Sequence, residues 1–241
     1  KDYSNSIRKP MQIDPNERKI IERFYIISAT EPIYSVTPRI INRISDRTGA
    51  QYNTVRSVLE KLPLESQPSQ FRDSYLQISK SGREFAKEFE LKTANLFNEG
   101  FEIDAEWTGN RSRNPDIIIF LDKINKLHGI IDTKAYNNYN LPLDHKLKMA
   151  RIYIPKLEKY EHHGETFHIY FFGYVAGGFA ENIETSFNEL LNMTKISGHL
   201  ITAHNLLELL NIHKEDSFDV EDLLNLFTCN KEIRPYEIIP H

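Results

Sequence analysis

Two carboxylates and an ammonium stand at chemically suggestive spacing in this 241-residue chain: Asp116, in Asn114-Pro115-Asp116, and sixteen residues on Asp132 and Lys134, in Asp132-Thr133-Lys134. Acids that converge can share a divalent cation through oxygen ligands. The cation activates a water, and with a lysine beside it offsets the negative charge that builds on a phosphorane. Phosphodiester hydrolysis is the chemistry such a set suits. Asp116 and Asp132 are the expected metal ligands, with the carbonyl of Thr133 between them as a third. Lys134 would orient or deprotonate the attacking water. Glu90, on a preceding helix, is a further acidic candidate on the water side. The bland reading of Asp132 and Lys134 is a solvated ion pair worth little.

Such groups must be held by rigid elements. Ile117-Ile118-Ile119-Phe120-Leu121 follows Asp116 and Gly129-Ile130-Ile131 leads into Asp132, so both segments read as strands of one hairpin. The strand period of two puts Asp132 and Lys134 on the same face. A charged pair closing an apolar run sits where unpaired charge is costly, which favours a purpose for it. Pro115 is tolerated where a strand opens.

Pro-Asp followed by Asp-X-Lys resembles the PD-(D/E)XK nuclease superfamily. The continuation Asp132-Thr133-Lys134-Ala135-Tyr136, with Tyr139-Asn140-Leu141-Pro142 shortly after, is similar to the cleavage domain of the FokI-like type IIS restriction endonucleases. The lead-in Ser112-Arg113-Asn114-Pro115-Asp116, the aromatic strand from Phe167 to Tyr174, the Gly177-Gly178 turn and the Leu-rich end run parallel to that family, over roughly residues 86–234. The resemblance implies a Mg²⁺-dependent cutting site, with Mn²⁺ as a substitute, at Asp116, Asp132 and Lys134. It places Glu90 in a similar Glu-Leu-Lys stretch and double-stranded DNA in the role of substrate. Arg113, in the lead-in, and Arg111, just before it, are DNA-contact candidates. The family pairs two cleavage domains through an Asp and, four residues on, an Arg. Here Arg151 stands at the Arg position and Leu147 at the Asp position. The expected homodimer would therefore rest on Arg151 and on the apolar Leu147, Ile152 and Ile154 rather than on reciprocal ion pairs.

The net charge of −4 hides an asymmetry: residues 1–83 carry 14 basic and 9 acidic side chains, the remainder 16 and 25. The first third is the natural partner of a polyanion. Its pattern predicts three helices: one after the capping sequence Asp14-Pro15-Asn16-Glu17, one from Pro38 to about Arg47 capped by Thr37, and one from Ala50 to Leu62. Thr48-Gly49 forms the turn between the last two. The third helix buries Val55, Val58, Leu59 and Leu62 and leaves Gln51, Asn53, Thr54, Arg56 and Ser57 outward, residue types that contact base edges and phosphates. Alternation from Phe71 to Ser79 predicts strands around Arg72-Asp73-Ser74, and a helix follows from about Ser81 to Asn98. Three helices and a hairpin make a winged helix, which reads DNA or docks the nuclease domain.

The expected architecture is therefore α/β (α+β): a winged-helix domain over residues 1–83, then a PD-(D/E)XK restriction-endonuclease-like mixed sheet flanked by helices over residues 84–241. One cysteine, Cys229, excludes an internal disulfide and a cysteine-rich zinc site, which suits a reducing bacterial or archaeal cytoplasm. The longest nearly apolar stretch, Phe167 to Ala180, is too short for a membrane helix. Lys1 stands first rather than Met, so a further recognition domain is also expected. His162-His163 reads as a solvated turn, because adjacent side chains of an extended or helical backbone diverge. Gly173, Gly177 and Gly178 end a strand rather than cradle a phosphate, and His199 and His204 read as edge residues. Two other functions share these features: a repair or mobile-element nuclease directed by DNA structure, and a DNA-binding regulator with an inert nuclease-like domain.

Overall fold

Asp14 caps the first helix through an Oδ1 that accepts the Asn16 N–H at 2.7 Å, and Pro15 fills the first helical position, where a missing N–H costs nothing. Helices α1 (Pro15–Ser28), α2 (Pro38–Thr48) and α3 (Tyr52–Leu59) follow in order. Their apolar stripes meet in a core of Ile20, Phe24, Ile27, Ile41, Ile44, Val55, Val58 and Leu59. Gly49 ends α2 in the left-handed region, its N–H donating to the Ser45 carbonyl at 2.9 Å. On α3 the polar face is as expected: Gln51 at the N-cap and Asn53, Thr54, Arg56 and Ser57 beyond it are all exposed.

The computed structural model describes residues 14–28, 36, 38–61, 67–111 and 113–237. The expected cap Thr37 and core residue Leu62 lie outside them. Two compact units divide between Pro68 and Ser69, ahead of the boundary expected at residues 83 and 84.

The expected wing is not a hairpin. Phe71 to Ile78 belongs to α4 (Gln67–Ile78). Phe71, Tyr75 and Ile78 recur at helical spacing and are all buried. Tyr75 stacks on Phe71 and tilts against Phe89, and its hydroxyl meets Thr93 Oγ1 at 2.9 Å. This tertiary packing overrides the weak period-two signal, so the described residues of the first unit hold three helices and no strand. The next helix starts later than expected, as α5 (Ala86–Asn95), because Gly82 turns the chain in the left-handed region and donates its N–H to the Ala135 carbonyl at 2.7 Å. A π turn, Leu96–Gly100, ends it.

The second unit is built on a mixed sheet. Strands β1 (Asp104–Trp107), β2 (Ile117–Asp122) and β3 (Leu127–Lys134) form an antiparallel meander. Helix α6 (Leu143–Lys148), a π turn (Met149–Tyr153) and the short α7 (Ile154–Lys156) lead to the hairpin of β4 (Lys159–His162) and β5 (Glu165–Ala176). Then come α8 (Ile183–Thr194), β6 (Ser197–Thr202), α9 (Ala203–Glu215) and α10 (Val220–Phe227). The order is β1-β2-β3-β5-β4, with β6 also on β5; β5 runs parallel to β3 and β6. All six residues of β2 are buried, as a strand covered on both faces requires. One face packs Ile118, Ile130, Phe172 and Tyr174 against Met149, Tyr153 and Phe187. The other carries Phe171 against Phe227 of α10. The expected mixed sheet flanked by helices is present, and β4 stands where a solvated turn was expected.

One histidine departs from expectation, while His204 is exposed as an edge residue should be. His199 is fully buried rather than at an edge, stacked on Phe227 with Nδ1 3.0 Å from that residue's carbonyl oxygen. Burial lowers its pKa to about 4, and burial does the same to His128. The unfolded chain therefore binds protons that the fold refuses between about pH 6.5 and 4, and stability falls across that window by roughly 3 kcal/mol per histidine. Melting curves should show His199→Leu losing less of its Tm between pH 7 and 5 than the unaltered chain; parallel pH profiles would refute the assignment.

Candidate active site

The β2–β3 register decides which side chains meet. Ile117 pairs with Ile131, so one step further out Asp116 stands opposite Asp132. Asp132 and Lys134 then share a face by alternation, and Lys134 Nζ lies 2.5 Å from Asp132 Oδ2 and 2.9 Å from the Thr133 carbonyl. Asp116 Oδ2 accepts from the Thr133 backbone N–H at 2.7 Å and from Thr133 Oγ1 at 2.9 Å. One oxygen of each carboxylate is thus tied down. The other oxygen of each is left for a further partner.

Electrostatics follow from this crowding. Burial, then the charge of Asp132 and of Glu90, push the Asp116 carboxyl up to about 8, against the opposing pull of Lys134 and the Thr133 N–H. Burial disfavours the Lys134 ammonium, but Asp132 and Asp116 outweigh it and hold the lysine above its ordinary pKa. The lysine side chain is 13% exposed and that of Asp132 6%, so the pair is not the solvated ion pair of the bland reading.

The loop between β1 and β2 supports Asp116 from behind. Thr108 and Gly109 donate their N–H groups to the Asp116 carbonyl at 2.8 and 3.1 Å, and buried Thr108 Oγ1 donates to the Pro115 carbonyl at 2.7 Å. Glu90 reaches the same place from α5, where Oε2 accepts the Trp107 indole N–H at 3.1 Å. A Cβ at Gly109 would lie 2.2 Å from that oxygen, so a larger residue here would displace the Glu90 carboxylate. Sequence reasoning missed Thr108 and Gly109; a glycine shortly before Pro-Asp was the available signal. It also missed His145 and Tyr139. Tyr139 OH lies 2.7 Å from His145 Nδ1, and burial, then Lys134, lower the imidazole pKa.

Other expected site residues lie apart from this cluster. Arg111 is exposed and paired with Glu106 at 2.7 Å and Tyr160 at 3.2 Å. Arg113 is exposed, in the left-handed region. Arg151 and Ile152 are exposed and Leu147 is half-buried, but Ile154 belongs to the core and offers nothing to a partner. The α3 residues Gln51, Asn53, Thr54, Arg56 and Ser57 belong to the other compact unit.

A family model described as FokI, cleavage domain, matches residues 49–234, well over half of the chain. Two solved structures share the fold. Restriction endonuclease FokI is 17% identical with a TM-score of 0.58, and FokI bound to DNA is 18% identical with a TM-score of 0.57. Each alignment covers 88% of this chain and 48% of the other, so the chain spans about half the length of those proteins. No curated protein matches it.

Charge crowding has a measurable consequence. Since the Asp116 carboxyl is raised from 3.8 to about 8 by the fold, its contribution to stability is present below about pH 4 and is lost progressively up to about pH 8. Without divalent cations, Asp116→Asn should raise Tm at pH 8 by about 5 °C and leave it nearly unchanged near pH 4. Calorimetry across this range checks it; a variant no more stable at pH 8 would contradict the crowding.

Proposed function

Because this chain belongs to the FokI cleavage-domain family, we propose that it is an endonuclease that hydrolyses phosphodiester bonds of double-stranded DNA with Mg²⁺, with the separate binding and cutting of a type IIS restriction enzyme. The observation that carries this reading is the convergence of Asp116, Asp132 and Lys134 at the ends of β2 and β3.

The residues fit a hard divalent cation. Their donors are oxygens, each Asp keeps one carboxylate oxygen unengaged by the contacts above, and the negative charge that lifts Asp116 is what a cation would neutralise. Asp116, Asp132 and the Thr133 carbonyl would hold Mg²⁺, with Mn²⁺ able to replace it; bound there, the ion supplies Lewis acidity and an activated water. Lys134 is held protonated by its acidic neighbours. That favours orientation of the water and stabilisation of the developing oxyanion over proton abstraction. Thr133 fixes the Asp116 carboxylate through two hydrogen bonds. Glu90 adds a carboxylate on the α5 side, positioned by Trp107.

Binding falls to the other unit. The exposed α3 face of Gln51, Asn53, Thr54, Arg56 and Ser57 lies in a basic stretch of sequence, while the cutting half is acidic. Arg111 and Arg113 would meet phosphates near the cut. Cutting both strands calls for a second cleavage domain, and the exposed Arg151 and Ile152 with half-buried Leu147 supply the surface for a transient homodimer. A recognition domain beyond these residues is consistent with the half-length match to FokI.

Asp132→Ala and Lys134→Ala should each lower Mg²⁺-dependent cleavage of a large DNA at least 100-fold while DNA binding persists. Wild-type rates in either variant would end the assignment, and sequencing the ends would separate a fixed offset from structure-directed cutting. Asn53→Ala with Arg56→Ala should weaken DNA binding about tenfold in low salt and flatten its salt dependence, with no loss of folding. Unchanged affinity and salt slope would instead assign α3 to protein docking.

A further inference from the structure

We infer that Asp104, His162 and His163 form a second metal site, for a borderline divalent cation such as Zn²⁺, at the far end of the sheet from the catalytic carboxylates. One ligand atom from each of the three lies within 4.8 Å of the other two. His162 Nε2 and Asp104 Oδ2 are 3.2 Å apart. Ligands at ordinary zinc distances in a tetrahedral shell are separated by about 3.4 Å, so this pair is close to the edge such an ion needs.

The turn chemistry explains how adjacent histidines converge. His163 has φ 51° and Gly164 φ 79°, two successive left-handed residues at the β4–β5 hairpin. This backbone cancels the divergence expected of neighbours on an extended chain. The two imidazole centroids are 4.1 Å apart. Histidine is among the residues that tolerate this left-handed position, and Asn suits the same turn at least as well. His162 is held in place by stacking on Phe120 at 3.6 Å, and its side chain is 13% exposed. Asp104 comes from β1, 58 residues away in sequence. The sheet curls enough to bring it there, and the hydrogen bond from Tyr160 OH to Glu106 Oε2 at 3.0 Å ties the same two strands.

The donor set selects the ion. Two imidazoles and one carboxylate favour zinc, cobalt or nickel over Mg²⁺, which prefers oxygen alone. Lys123 Nζ, 3.4 Å from Asp104 Oδ2, is the cation that the metal would displace. Glu106, 3.9 Å from His162 Nδ1, would steady the second nitrogen of that ring. Asp104 pairs across the sheet with Phe120, four residues from Asp116, which is about 13 Å along β2. The site is therefore separate from the proposed catalytic one. Its role is to staple the β4–β5 hairpin to β1. The competing account is an Asp104–His162 ion pair with His163 as a bystander.

The full chain, its His163→Asn variant and its Asp116→Asn variant can be titrated with Zn²⁺ at pH 7.5 in millimolar Mg²⁺, by calorimetry and by melting curves. The unaltered chain and Asp116→Asn should each bind one Zn²⁺ with a rise in Tm. His163→Asn should bind it at least tenfold more weakly and show no rise, while its metal-free Tm is no lower because Asn-Gly suits the turn. His162→Gln should likewise weaken Zn²⁺ binding at least tenfold. Equal affinity in His163→Asn, loss of binding in Asp116→Asn alone, or no uptake by the unaltered chain would overturn the site.

Discussion

Two carboxylates crowded at the ends of adjacent strands are costly to bury, and much of the second unit serves to keep them there. Asp116 and Asp132 are opposite one another because β2 and β3 pair as they do. Like charges so close, in a nearly dry site, drive one carboxyl toward protonation. What prevents the arrangement from relaxing is rigidity: Thr133 grips one oxygen of Asp116, Lys134 grips one of Asp132, and Thr108 and Gly109 hold the backbone behind. Removing the Lys134 ammonium would leave the acids with uncompensated buried charge, whereas neutralising Asp116 relieves it. The strain is stored where a cation would release it.

That constraint accounts for features at some distance. β2 is buried on both faces because helices cover the sheet on either side, and this shielding keeps water from screening the site. Tyr139, Tyr153 and Tyr174 line the same face, and burial followed by the charge of Asp132 raises the phenol pKa of each. They remain neutral around the acids and give hydrogen-bonding surface without adding charge. Gly109 serves the same arrangement, since the Glu90 carboxylate and the Trp107 indole occupy the space where its Cβ would be.

An acidic unit proposed to cut DNA would bind that polyanion poorly by itself, which gives the three-helix unit its proposed purpose. The polar α3 face was readable because a 3.6-residue period separates Val55, Val58 and Leu59 cleanly from exposed neighbours. The wing was not readable. Phe71 to Ser79 carries aromatic residues whose alternation and helical spacing are both passable, and only contacts with Phe89 and Thr93 decide for the helix. Short apolar runs leave this ambiguity until their partners are known. The same limit hid β4 and the burial of His199, since both depend on which distant strand or helix packs against them.

The sequence by itself determined the β2–β3 hairpin, the three helices of the first unit and the identity of Asp116, Asp132 and Lys134, because local periodicity and motif spacing encode which side chains share a face. Tertiary structure alone decided that Glu90, Thr108, Gly109, Tyr139 and His145 surround them, and that Asp104 meets His162 and His163 across a curled sheet. Those contacts join residues from different elements, and their geometry is set by register, curvature and burial, quantities that exist only once the chain has packed.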